Sequence, residues 1–151
     1  MTDTAATEMI HGLVPLAVTL GFTADTAGPD EVVLSLDWAP NLTTGGGVLH
    51  GGMVMALADT SGAVCAFLNL PEGAGGTTTI ESKTNFFRPL TMPAETAGGG
   101  SGPSDAATRS GTVKAHSRPL HVGKRVIVVE TEIRGDNGKL AAKTIQSQAV
   151  L

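Results

Sequence analysis

The feature that most constrains this fold is an apolar segment, residues 51–68, with a single carboxylate near its middle. Ala, Met and Leu dominate the segment, β-branched residues are few, and no period-two alternation is present, so it favours a helix. Because nearly every side of that helix is apolar, we expect protein to surround it. Asp59 is the only formal charge between Met53 and Leu68, and an ionised carboxylate there is costly unless it is hydrogen-bonded. We interpret Asp59 as a general base or nucleophile; a structural pairing at a subunit interface is the alternative.

The flanking patterns predict a single domain over residues 1–151 with an α+β fold, an antiparallel sheet folded around one long helix. Residues 9–22 are typical of a short amphipathic helix. Residues 31–39 alternate as a strand, and further strands are expected over residues 77–90 and 111–151.

Two loops stand out among these elements. Asn137 and Gly138 suit the positive φ of a hairpin turn. Residues 94–110 are rich in Gly and Ser, and we expect a long flexible loop within the domain.

Composition excludes some classes of partner. The chain of 151 residues has a formal net charge of −4 and a pI of about 5.4, so it lacks the positive field that a nucleic-acid binder needs. No apolar run is long enough to span a bilayer, and the acidic N-terminal stretch lacks the layout of a signal peptide. The one cysteine, Cys65, lies in the apolar segment, where we interpret it as a small core residue. We expect a cytoplasmic protein without nucleic-acid or membrane partners.

The start of the predicted helix has the properties of an oxyanion site. His50, Gly51 and Gly52 stand where backbone N–H groups lack intrahelical partners, and glycine lets a carbonyl oxygen approach them. His50 polarises a carbonyl, acts as an acid or base, or fixes the loop. Eight residues of helix separate Gly51 from Asp59 by about 12 Å, too far for both to reach one carbonyl. A second subunit must then supply one of the two groups, which predicts a dimer. The four histidines show no metal-ligand spacing and no nucleotide fingerprint is present, so neither metal nor cofactor is expected.

Three segments together resemble hotdog-fold acyl-CoA thioesterases of the PaaI-type (phenylacetyl-CoA thioesterase-like) group. They are LHGGMVMALADTSG (residues 49–62), TTTIESKTNFFRPL (residues 77–90) and GTVKAHSRPLHVGKRVIVVETEIRGDNGKLAAK (residues 111–143). The resemblance implies a sheet wrapped around the helix, and dimers that often pair into tetramers. It also implies that Asp59 is the general base or nucleophile, that the Gly51 N–H binds the carbonyl beside His50, and that the Thr79 hydroxyl helps place the water.

The substrate-binding residues follow partly from the resemblance. The family usually has an asparagine six residues before the histidine, where this chain has Thr44, and Asn41 is the nearest asparagine. We expect an apolar slot for the acyl group, lined by helix residues such as Met53, Met55 or Leu57. The remaining candidates are Gly52 near the thioester and four cations for the CoA phosphates: Arg88, Arg118, Lys124 and Arg125.

The sequence therefore predicts an acyl-CoA thioesterase, active at the subunit interface of a homodimer or homotetramer. One alternative is an acyl-thioester dehydratase or hydratase that uses His50 and Asp59 as an acid–base pair, although the Pro-Gly motif of those enzymes is missing. The other alternative is a non-catalytic module that binds acyl-CoA.

Overall fold

The apolar segment forms one long helix that lies on one face of a six-stranded antiparallel sheet, as predicted. A computed structural model describes residues 1–91 and 111–151, so the loop expected at residues 94–110 lies outside the described residues. The helices are α1 (Thr4–Leu13), α2 (Pro15–Leu20) and α3 (Gly51–Phe67), with a 3-10 turn at Pro40–Leu42. The strands are β1 (Thr23–Ala27), β2 (Val32–Asp37), β3 (Thr77–Phe86), β4 (Thr112–Val122), β5 (Val126–Arg134) and β6 (Leu140–Val150). No helix of the described ranges is long and apolar enough to cross a membrane.

The strand order places β3 at one edge of the sheet. The order is β1-β2-β4-β5-β6-β3, and every neighbouring pair is antiparallel. Along β5 the side chains alternate between buried and half-buried, so one face of the strand packs on α3. That inner face is apolar at Ile127, Val129 and Ile133. Burial of these residues against α3 holds the helix across the sheet.

A buried cluster of hydroxyl groups fixes α3 against the sheet two residues beyond Asp59. Ser117 on β4 donates to the Ser61 hydroxyl of α3 at 2.7 Å, and lies 2.7 Å from the Thr131 hydroxyl of β5. None of these three side chains is exposed to solvent. Because buried hydroxyl groups are stable only when paired, the cluster restricts how α3 can shift along the sheet.

The prediction of one helix over residues 9–22 is wrong. The first helix begins at Thr4, because the Asp3 carboxylate caps it by accepting the Ala6 N–H at 3.0 Å. The chain then leaves helical geometry at Val14, whose φ is −129°, since proline at position 15 disfavours a helical residue before it. The prediction also missed β1, which is short and contains only two alanines as apolar residues.

The hairpin turn at residues 135–139 forms where predicted, with a different conformation at one residue. Gly138 has a φ of +70°, whereas no described residue other than glycine has a positive φ. Asn137 instead uses its side chain, whose Oδ1 accepts the Lys139 N–H at 2.9 Å. Such a bond stabilises a turn without the left-handed conformation.

Replacing Ser117 with Ala tests the hydroxyl cluster. We expect Ser117→Ala to lower the free energy of unfolding by about 1–3 kcal/mol, because it leaves the buried Ser61 and Thr131 hydroxyls short of a partner. Urea denaturation measures the change. Ser147→Ala, on the opposite face of β6, is the control and should unfold like the wild type. Equal midpoints for both variants would contradict a stabilising role of the cluster.

Candidate active site

The N-terminus of α3 presents one histidine and one backbone amide. His50 is the N-cap, and its Nδ1 accepts the Gly52 N–H at 2.9 Å. Because Nδ1 is the acceptor, the proton of the neutral ring lies on Nε2, and His50 is exposed. Its Nε2–H is therefore a donor that a ligand can reach.

The Gly52 N–H is not free to bind a ligand. Its N–H already binds His50 Nδ1, so this amide does not offer the oxyanion contact that the sequence suggested for it. A Cβ added at Gly52 would lie 3.0 Å from His50 Nδ1. Glycine at this position lets the imidazole fold back over the first turn of the helix.

Gly51 supplies the amide that stays open. No described residue accepts its N–H, and the N-terminal end of the helix dipole favours negative charge there. Gly51 also lines a cavity of about 370 Å³. The walls of this cavity are mostly apolar and include Val54, Phe86, Phe87 and Leu90. A carbonyl oxygen at Gly51 would thus lie beside an apolar space.

Asp59 is half-buried in the single chain and is held by hydrogen bonds. Thr79 Oγ1 donates to its Oδ1 at 3.1 Å, and Gln146 Nε2 lies 3.3 Å from the same oxygen. The two bonds that described residues donate to this carboxylate both end on Oδ1. The structure therefore brings together Asp59 and Thr79, the pair that the resemblance implied, and leaves Oδ2 without a described donor.

The expectation that protein covers α3 on all sides is wrong for the single chain. Met55 and Phe67, one turn and two turns from Asp59 along the helix, are 43% and 39% exposed. On the neighbouring edge strand, Ile80 is 62% exposed and Phe86 is also exposed. Exposed apolar side chains therefore lie on both α3 and β3, the elements that carry Asp59 and Thr79.

The helix residues predicted to line an acyl slot do not line the Gly51 cavity. Leu57 is fully buried in the core between α3 and the sheet. Met53 is half-buried, and Met55 faces the exposed side of the helix. Helix geometry explains the difference. Met53 and Leu57 are four residues apart and share the side of the helix that packs on the core, Met55 faces the exposed side, and Val54 faces the cavity.

Of the four predicted phosphate-binding cations, only Arg88 shares a cavity with Gly51. Arg88 lines that cavity, and its Nη1 donates to the Leu140 carbonyl at 2.7 Å. Arg118 forms an ion pair with Glu31 at 2.7 Å, on the face of the sheet that points away from α3.

The other predicted binding residues lie at two separate places. Lys124 and Arg125 are exposed in the turn between β4 and β5. Asn41 lies in the 3-10 turn, where the carbonyl of its neighbour Leu42 accepts the His50 N–H at 2.9 Å. Thr44, the other candidate for the family asparagine, lines the Gly51 cavity.

Two residues of the site were missed by sequence reasoning. Gln146 contacts Asp59, and Gln148 Nε2 donates to Thr79 Oγ1 at 2.8 Å. The available signal was the pair of amides two residues apart, which places both on the same face of β6.

Cys65 is not part of the site. It is fully buried, and burial raises the pKa of its thiol to about 11. The thiolate that a nucleophile requires is therefore strongly disfavoured at neutral pH, in agreement with the interpretation of Cys65 as a core residue.

Comparisons with known proteins indicate the family to which this chain belongs. Residues 46–99, which contain His50, Gly51, Asp59 and Thr79, match the sequence model of the thioesterase superfamily. A candidate esterase of Saccharolobus solfataricus is 31% identical over 121 residues, covering 80% of this chain and 72% of that protein. The 1,4-dihydroxy-2-naphthoyl-CoA hydrolase of Escherichia coli is 29% identical over 105 residues, covering 70% and 63%.

A solved structure extends the agreement to the fold. A thioesterase from Haemophilus influenzae superposes with a TM-score of 0.77 at 25% identity, covering 99% of this chain and 93% of that one. This match confirms the hotdog fold implied by the three motifs. Together, the motif-bearing helix, the sheet wrapped around it and the relatives identify the chain as a member of the thioesterase superfamily.

Proposed function

We propose that this protein is a cytoplasmic acyl-CoA thioesterase, which hydrolyses a CoA thioester to a free acid and CoA. The observation that carries the proposal is the Asp59 carboxylate, which lies on the helix that begins with the open Gly51 amide and accepts at Oδ1 a hydrogen bond from Thr79 of β3. Membership of the thioesterase superfamily and the similarity to a CoA-thioester hydrolase support it.

The active site is completed by a second copy of the chain. Gly51 and Asp59 are separated by about 12 Å of helix, so the two groups act on one carbonyl only when they come from different subunits. The edge strand β3 pairs with β6 alone among the described strands, so its other side can pair with the same strand of another copy. Such a homodimer would also cover Met55, Phe67 and Ile80, which are exposed apolar residues of α3 and β3.

The geometry supports a division of labour within this composite site. Gly51 N–H and His50 Nε2–H of one subunit donate to the thioester carbonyl and stabilise the oxyanion. Asp59 of the other subunit activates water or attacks the carbonyl, and both routes need the carboxylate in the same place. Arg88 is the cation best placed to bind a CoA phosphate near the Gly51 cavity, while Arg118, Lys124 and Arg125 remain predictions for the outer part of the CoA.

Neither of the two alternative functions releases a thiol from an acyl-CoA. A dehydratase or hydratase changes a carbon–carbon double bond and leaves the thioester intact, whereas hydrolysis releases a free thiol. A non-catalytic module binds acyl-CoA without turnover. Thiol release therefore separates the proposed function from both alternatives.

Replacing Asp59 with Asn is the direct test of the proposed function. The wild type should release thiol from at least one class in a series of aryl-, short-chain and long-chain acyl-CoAs. Asp59→Asn should lower kcat by roughly 10³-fold, because the amide can neither accept the proton nor attack. Affinity for the same acyl-CoA should stay within about threefold, since Asn keeps the shape of the side chain.

Asp30→Asn is the matched control, because Asp30 lies exposed in the turn between β1 and β2. It should retain full activity. The proposed function is overturned if the wild type releases no thiol from any of these acyl-CoAs. The role of Asp59 is overturned if Asp59→Asn retains more than a tenth of the wild-type kcat.

Replacing Gly51 with Pro tests the oxyanion donor alone, because the substitution removes the backbone N–H. Proline lacks an N–H, it is well tolerated at the first position of a helix, and the extended His50 backbone (φ −62°, ψ 135°) suits a following proline. No described hydrogen bond is lost, since the Gly51 N–H has no described acceptor. We expect Gly51→Pro to lower kcat by roughly 10²–10³-fold with little change in the melting temperature.

Gly51→Ala serves as the control for this substitution, because it keeps the N–H. Its added Cβ would lie 3.4 Å from the Phe86 ring, an ordinary contact. Equal kcat values for the Ala and Pro variants would show that the amide plays no part in the reaction.

A further inference from the structure

The inner face of β6 carries two buried glutamines beside Asp59, where apolar residues would be expected. Gln146 and Gln148 are 1% and 0% exposed, whereas Ile145 between Thr144 and Gln146 is 40% exposed on the outer face. The strand thus buries its amides and exposes its isoleucine. The Oε1 atoms of both glutamines are buried and have no hydrogen-bond partner among the described residues, which costs stability that a buried leucine would not. Because the two buried glutamines cost stability, their presence indicates a function that offsets this cost.

Gln146 contacts Asp59 through its amide nitrogen. Its Nε2 lies 3.3 Å from Asp59 Oδ1 and 3.4 Å from the Asp59 backbone carbonyl. Rotating the amide by 180° would direct Oε1 at the carboxylate and the carbonyl, so that acceptors would face acceptors. The orientation with Nε2 toward Asp59 is therefore the one that hydrogen-bonding chemistry selects. Gln146 then restrains both the side chain and the backbone of Asp59.

Gly62 creates the space that Gln146 occupies. A Cβ added at Gly62 would overlap the Oε1 and Cδ atoms of the Gln146 amide. Gly62 lies inside α3, where glycine is a weaker helix former than alanine. The space that the Gln146 amide needs explains why glycine stands at this helix position.

Gln148 acts on Asp59 through Thr79. Its Nε2 donates to Thr79 Oγ1 at 2.8 Å, and the Thr79 hydroxyl donates to Asp59 Oδ1 at 3.1 Å. A hydroxyl group has only one proton to donate. By occupying an acceptor position of Oγ1, Gln148 directs that proton toward the carboxylate.

We propose that Gln146 and Gln148 are positioning residues for the reaction, and that Gly62 makes room for the first of them. Together they fix Oδ1 of Asp59, so that Oδ2 points to the reacting atoms. The inference rests on the proposed function and extends it to the strand opposite the catalytic helix.

The first test separates kcat from KM. We expect Gln146→Leu, which removes the donor and keeps most of the volume, to lower kcat roughly 10- to 100-fold and leave KM within about twofold. Gln148→Leu should lower kcat in wild-type protein but have no further effect in a Thr79→Val background. Ser147→Ala, on the other face of the same strand, is the control and should match the wild type.

The second test uses thermal unfolding and needs no activity. Gly62→Ala should lower the melting temperature, because the new methyl group displaces Gln146. In a Gln146→Ala background the same change should raise the melting temperature, since only the better helix propensity of alanine remains. Gly12→Ala, in α1 with nothing near its added Cβ, should raise it in both backgrounds. The kcat of the Gly62→Ala/Gln146→Ala double variant should be no lower than that of Gln146→Ala.

The third measurement observes the carboxylate directly. The ¹³C carboxyl signal of Asp59 can be assigned by its loss in Asp59→Asn, and it should shift in Gln146→Leu and Gly62→Ala but not in Ser147→Ala. An unshifted signal overturns the proposal, even if the wild type hydrolyses no acyl-CoA. In an active enzyme, a kcat of Gln146→Leu within about twofold of the wild type also overturns it. Absence of thiol release by the wild type, with the signal shifted as expected, overturns only the proposed function.

Discussion

The hydrogen bonds to Oδ1 of Asp59 are the interaction on which the rest of this site depends. They join three elements, because Asp59 lies on α3, Thr79 on β3 and Gln146 on β6. A carboxylate in an otherwise apolar helix segment would be costly without these donors. The same bonds leave its second oxygen without a described donor. One arrangement therefore offsets the cost of the charge and, in the proposed function, orients the carboxylate toward the thioester.

In the proposed function, the eight-residue spacing of Gly51 and Asp59 along α3 sets the architecture of the active site. The open amide of Gly51 and the carboxylate of Asp59 lie on one rigid helix at a spacing that no side-chain rotation can close. A catalytic site made from both groups needs two helices. The edge strand β3 and the exposed residues Met55 and Phe67 provide a surface for bringing a second copy alongside. Catalysis and association are in this way parts of one proposal.

Much of the fold could be predicted because it follows from strong local patterns. The α3 segment and the alternating strands are typical of their structures, and the motifs around His50, Asp59 and Thr79 indicated the superfamily. The early helices were misjudged because a cap at Asp3 and a break before Pro15 override the apolar pattern. Gln146 and Gln148 escaped prediction for a different reason. Period-two patterning assigns apolar residues to the core, and β6 violates that rule beside the carboxylate, as functional sites often do. Gly62 could be noticed in the sequence, but only the position of Gln146 explains it.

Activity of a mixed dimer tests the composite site most directly. Asp59→Asn and Gly51→Pro chains carrying different tags can be co-expressed, and the heterodimer purified through both tags. If each site takes its amide from one subunit and its carboxylate from the other, the heterodimer has one intact site and one doubly defective site. Thiol release should then return to about half of the wild-type rate per dimer, although each parent homodimer is nearly inactive. A heterodimer no more active than its parents would contradict a site shared between subunits.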